Sequence, residues 1–325
     1  MKDLTKSRGR YLRRGLAGLA VTLTAGGAAL TIGPLAAHAA VRSQATTYTF
    51  TTLDNAHDAT FNQLLGINSK NVIAGYFGSG ATGSPNKGYL LKPPYAQSNY
   101  ANENFPHSMQ TQVTALNNDG DTAGFWVNAQ GTNEGFIRWH GVYASYTDPH
   151  TPKGAGSVNQ ILGINDSGIA VGFWVNKQGN SRAFSLDQAT GVFTPIVVPG
   201  TSWAATGINN NGDIVGFSTG SKGLTSSWLM HNGQLVSFQY PGGSDTQAFG
   251  VNDSDEIVGT YLNHSGVQHG FTLTDPLGPT SHWKTVDDPN GIGETFLNGL
   301  NDAGDVVGFY CASATVCNGF LAPPE

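Results

Sequence analysis

Four groups of side chains in this sequence have the types and spacing to do chemistry. His57, Asp58, Asp148, His150, Asp245, Asp287, Asp288 and Glu294 fall in connecting segments, and an acid/base carboxylate pair for glycoside cleavage could assemble from them. His57, His107 and His150 share one position of a repeating pattern, with Gly200, Gly242 and Asn290 at the matching places. Three imidazoles would suit zinc if they converged. The set His, Gly, Asn is also what a left-handed backbone position selects, so a turn role is expected. Gln63, Gln112, Gln160 and Gln247 each lie five residues before a recurring Asn, with Ala204 and Phe296 in the other two places. A Gln amide donates and accepts at once, which suits sugar hydroxyls or peptide amides, and equally suits bonding one repeat to its neighbour. Trp203, beside Thr201 and Ser202 in a polar connection, offers an aromatic platform for a sugar ring or a peptide side chain.

Other motifs carry less. The turns Asn117-Asn118-Asp119-Gly120-Asp121 and Asn301-Asp302-Ala303-Gly304-Asp305 invite a calcium reading, because hard cations take clustered oxygens. The third repeat has Ile169 at an acidic position and the fourth has Asn210 and Asn211, so turn chemistry is expected, with no metal and no cofactor. Gly-x-Ser-x-Gly, His-Glu-x-x-His and phosphate-loop motifs are missing, and no residue is assigned a catalytic role. Cys311 and Cys317 are separated by five residues across an expected hairpin, which in an exported chain points to a disulfide.

The elements that position these residues follow from a repeat. Gly66-Ile67-Asn68 with Gly75, Ala115-Leu116-Asn117 with Gly124, Gly163-Ile164-Asn165 with Gly172, Gly207-Ile208-Asn209 with Gly216, Gly250-Val251-Asn252 with Gly259, and Gly299-Leu300-Asn301 with Gly308 are six copies of one pattern. They start 49, 48, 44, 43 and 49 residues apart, a period that marks a β-propeller. Each copy continues to a small residue followed by an aromatic, as in Gly135-Phe136, Ala183-Phe184 and Gly270-Phe271. Four strand-sized apolar runs per repeat, here a to d from the axis outward, make one blade. Asn, Asp and Gly in the a-to-b turn supply positive φ. The last repeat stops after strand c, while the segment 47–54 reads as a spare d strand. Pairing the two closes the ring and leaves no raw sheet edge. The expected fold is an all-β, six-bladed propeller with four antiparallel strands per blade and an N-terminal strand closing the last one.

These repeats resemble the HAF repeats of bacterial extracellular proteins, named for a His-Ala-Phe motif followed by Gly-Ile-Asn-Asn-x-Gly-x-Ile-Val-Gly units. His269-Gly270-Phe271 and Arg182-Ala183-Phe184 come nearest the first, and the segment 207–216 nearest the second. The resemblance spans 47–322 and implies an exported or surface repeat protein without a settled activity.

Residues 1–39 read as an export signal: six Lys and Arg precede the apolar run 15–36, and Ala37-His38-Ala39 supplies a cleavage site. Interruption by Gly and small residues sets this reading above a transmembrane anchor. Arg13-Arg14-Gly15-Leu16 resembles a twin-arginine signal, and a general secretory signal fits nearly as well. A linker at 40–46 and one domain at 47–325 follow. Removing the signal leaves 10 basic and 21 acidic residues, a formal charge of -11, which disfavours nucleic acid and anionic lipid as partners. The chain is therefore expected to be a secreted or surface monomer, outside the membrane, that binds an extracellular carbohydrate or surface protein. Gln63, Gln112, Gln160, Gln247 and Trp203 would be its binding residues, on the face of the d-to-a and b-to-c loops. A propeller glycoside hydrolase or lyase, and a passive structural repeat protein, are the alternatives.

Overall fold

A computed structural model describes residues 47–325; the expected signal (1–39) and linker (40–46) lie outside the described residues. Each of the first five repeats forms one four-stranded antiparallel sheet in which sequence order is spatial order, and the three strands of the sixth are completed by the N-terminal strand. The inner strands are Asn62–Ile67, Gln110–Leu116, Asn159–Ile164, Ser202–Ile208, Ser244–Val251 and Thr295–Leu300. Successive inner strands touch, and the last touches the first, so six blades close a ring around one axis.

Burial explains why strands a and b carry the clearest pattern. Asn159–Ile164 is buried along its whole length, whereas the outer strand Val142–Tyr146 has an edge in water. The core is a set of clusters between blades rather than one centre. Phe136 of the second blade, for example, packs with Ala74 and Leu90 of the first. Each such fully buried aromatic contributes on the order of 1.5–3 kcal/mol.

Both repeat glycines answer to close approach. In every blade the a/b ladder shifts register just before the Gly-Ile-Asn triplet, as between Ile161 and Gly163 or Leu297 and Gly299. This β-bulge turns one extra residue toward the axis and kinks the strand. The first glycine then meets the next blade: a Cβ on Gly207 would lie 2.8 Å from the Phe249 carbonyl oxygen. A Cβ on the second glycine would meet its own strand a, 2.0 Å from the Gln160 carbonyl oxygen at Gly172.

The ring closes as the sequence predicts. Thr51–Thr52 pairs antiparallel with Cys317–Ala322, aligning Thr51 with Leu321 and Thr52 with Phe320. The Leu53 N–H donates to the Gly319 carbonyl at 2.9 Å, and the Thr49 N–H to that of Pro323 at 3.2 Å. Cys311 and Cys317 are cross-strand partners joined by a disulfide. The Cys317 N–H also donates to the Thr60 carbonyl at 2.9 Å, tying this hairpin to the connection that enters the first blade.

Candidate functional site

The two ends of the ring differ, and the repeat Asn builds one of them. Its side-chain Nδ2 donates to the main-chain oxygen of the same Asn in the following blade, from Asn68 to Asn117 and onward until Asn301 returns to Asn68, at 2.9 to 3.5 Å. Its Oδ1 accepts N–H groups from its own turn, as Asn165 does from Ser167 and Ile169. One buried amide thus caps its turn and latches two blades. The fourth turn residue has positive φ in all six copies: Asn71, Gly120, Gly168, Gly212, Asp255 and Gly304. The next residue after each Asn forms a second tier, with the Asn118, Asp166 and Asn210 N–H groups donating to Asp166, Asn210 and Asp253 side chains.

These tiers rim a cavity of about 120 Å³ at the a-to-b turn end of the axis. Below it a smaller cavity, about 60 Å³, is lined by the bulge residues Leu65, Thr114, Leu162, Thr206, Phe249 and Asn298 together with Gln63 and Gln112. The bulge ring alternates apolar and polar. Its polar members reach the next blade: Thr114 donates to Ile161 O, Thr206 to Ala248 O and Asn298 to Leu64 O, at 2.8 to 2.9 Å.

The four glutamines are buried and none reaches the loop surface. Gln63 Oε1 accepts the Tyr76 hydroxyl at 2.7 Å within its own blade. Gln112 Nε2 donates to Asn86 Oδ1 of the preceding blade at 2.9 Å. Trp203 lies within strand Ser202–Ile208 rather than in a loop. At the corresponding place the other blades hold Asn62, Thr111, Asn159, Thr246 and Thr295. Each of these accepts a crossover N–H, from Asn55, Phe105, Asp148, Tyr240 and Asp288 respectively. Trp203 anchors its crossover with the opposite polarity, donating Nε1–H to Ile196 O at 2.8 Å. The Arg182 guanidinium lies 4.3 Å from its ring centroid.

The crossover end carries the groups accessible to a ligand. His150, with its side chain 69% exposed, places Nδ1 at 2.9 Å from Asp148 Oδ1 and stacks on Trp174 with centroids 5.9 Å apart. His57 repeats the arrangement two blades away, with Nδ1 2.8 Å from Asn55 Oδ1 and its ring on Phe77. Two blades further round, His269 places Nδ1 at 2.7 Å from Asp287 Oδ2 and stacks on Tyr261. His57 and His150 therefore form imidazole-on-aromatic shelves on blades one and three, on one face, whereas His269 has both ring nitrogens engaged, Nε2 by Asn263 at 2.9 Å, and rests on a buried Tyr261 that also stacks on Tyr240.

Comparison with solved structures places this architecture. A TolB-like protein from Agrobacterium tumefaciens matches with TM-score 0.55 and 9% identity over 82% of this chain and 91% of that one. AofleA from Arthrobotrys oligospora matches with TM-score 0.51 and 12% identity over 85% and 86%. A gluconolactonase from Xanthomonas campestris matches with TM-score 0.50 and 9% identity over 86% and 90%. No protein-family model matches the chain, and no curated protein matches its sequence. The chain is similar to propellers in fold; at these identities the likeness extends no further.

The shelves correct one local expectation. Of the six positions read as left-handed, His107, Gly200 and Gly242 have positive φ, while His57, His150 and Asn290 do not. The latter three instead hydrogen-bond the side chain two residues earlier, through both main-chain N–H and side chain. The shelf aromatics had a sequence signal in strand alternation. Residues directly after the second glycine, such as Phe125 and Phe173, are buried, whereas Trp126 and Trp174 one step on are half-exposed.

Proposed function

We propose that the protein is an exported binding module that holds an extracellular glycan on the crossover face, and that it belongs with the HAF-repeat proteins. The observation that carries this reading is the pair of shelves at His57 and His150. Each offers a flat ring for the apolar face of a sugar, beside an imidazole nitrogen able to hydrogen-bond a hydroxyl. Two equivalent shelves on alternate blades suit a repeating polymer, because linked weak sites gain avidity without new contacts.

Three of the crossover carboxylates already serve the fold. Asp148 is buried and accepts the His150 N–H at 2.8 Å. Asp245 accepts the Thr225 N–H at 3.0 Å, and Asp287 accepts the Gly270 N–H at 3.2 Å. This supports binding over a glycoside hydrolase or lyase. A second reading, a surface-protein ligand, draws on Met109, Val197, Leu224 and Ile292. These exposed apolar residues belong to connections at the same end of the blades.

A glycan array probed with the wild type and with His150→Ala/Trp174→Ala tests the proposal. Binding to one glycan class that falls at least about tenfold in the double variant is expected, the scale of losing about 1.4 kcal/mol of contact. Equal binding by both proteins would remove the shelves from the account.

A further inference from the structure

The six turns at the opposite end serve as internal controls for one another, and one blade boundary departs from the rest. Asp213, at the start of the second strand of blade four, His231, at the end of its third strand Thr225–His231, and Asp255, in the turn of blade five, bring their ligating atoms within 4.8 Å of one another. His231 Nδ1 lies 2.8 Å from Asp213 Oδ1. Asn209 Nδ2, part of the ring of latches, sits 3.3 Å from Asp213 Oδ2 and 3.4 Å from Asp255 Oδ1, holding both carboxylates. The Asn232 amide contacts His231 Nε2 at 2.8 Å. With its oxygen toward the ring it would accept Nε2–H and leave the Nδ1 lone pair facing the carboxylates.

The other boundaries lack this donor set. Between blades six and one the corresponding places hold Asp305, Asn71 and Pro323, and Asn301 bonds both the Asp305 carboxylate and the Asn71 amide oxygen. Between blades two and three they hold Asp121, Gly168 and Trp139, with the indole packed against the glycine. Among the described residues, only the boundary between blades four and five gathers two carboxylates and an imidazole. Asp213 is buried, and two carboxylates in contact there repel unless a proton or cation lies between them.

We propose that Asp213, His231 and Asp255 form a divalent transition-metal site, with Zn²⁺ as its best-matched ion, that clamps blade four to blade five. One nitrogen and two carboxylate oxygens suit Zn²⁺ with a water completing its shell, whereas Ca²⁺ calls for six to eight oxygens.

The repeat supplies a variant that spares the fold. Asp255 has φ +60, and glycine occupies the equivalent position in four of the other turns, so Asp255→Gly removes a ligand while easing the backbone. Tag-free protein stripped with a chelator is titrated calorimetrically with Zn²⁺, and separately with Ca²⁺. The expected result is one equivalent of Zn²⁺ bound, a rise in Tm with Zn²⁺, and affinity at least about tenfold weaker in Asp255→Gly and in His231→Gln. No Zn²⁺ binding by the wild type, Zn²⁺ affinity unchanged in both variants, or Ca²⁺ bound more tightly than Zn²⁺ would each overturn the assignment.

Discussion

Asn165 shows how much one side chain does here. Its amide donates to the next blade and accepts two N–H groups of its own turn. Asn165→Ala leaves those buried groups unpaired and should cost about 2–3 kcal/mol. Urea denaturation checks this, and a loss below about 0.5 kcal/mol would show that the latch is dispensable. The spacing of the Asn was legible in the sequence, but its partner was not. An Asn-Asp-x-Gly turn is already satisfied locally, and nothing in the string points its Nδ2 at a carbonyl more than 40 residues away. Trp203 reads in the sequence as a loop residue for a related reason. Its role emerges only beside the five polar residues it replaces, and an indole that donates where they accept shares no chemical type with them.

Asp54 carries a pH dependence at the same scale. It accepts the Gly319 N–H of the closing hairpin at 2.9 Å, and burial raises its carboxyl from 3.8 to about 6. The folded state thus favours the protonated form. That stabilisation is complete below about pH 3.8 and is lost as pH rises through about 6. Asp54→Asn keeps an acceptor for Gly319 and never ionises. Its Tm should exceed that of the wild type at pH 7.5, with the gap narrowing toward pH 5. A gap independent of pH would contradict the assignment.

Among the elements, the closing strand carries the sharpest consequence. Without residues 47–53 the sixth blade loses its outer strand, and Leu53, Tyr48 and Phe50 leave the clusters they pack in. The ring should then unfold cooperatively at a much lower temperature, as followed by calorimetry; an unchanged Tm would refute closure by this strand. This element was legible because the last repeat stopped one strand short while the first was preceded by a spare. Strands a and b were legible because the bulge and its two glycines impose a fixed spacing. Outer strands such as Val192–Pro195, partly in water, are marked in the sequence mainly by the turn residues around them.

The whole molecule is a closed ring with an Asn-latched end and a crossover end bearing two shelves. Gln63 and Gln112 line the channel cavity beside Thr114, Thr206 and Asn298, and each also bonds a protein side chain. The proposed binding reading rests on the His57 and His150 shelves, and its rival is turnover by crossover carboxylates. The two are separated by incubating the protein with a panel of polysaccharides and scoring retained protein and released reducing sugar on the same samples. The account predicts retention without release, weakened in His150→Ala/Trp174→Ala. Sugar released by the wild type and abolished in Asp148→Asn would contradict it.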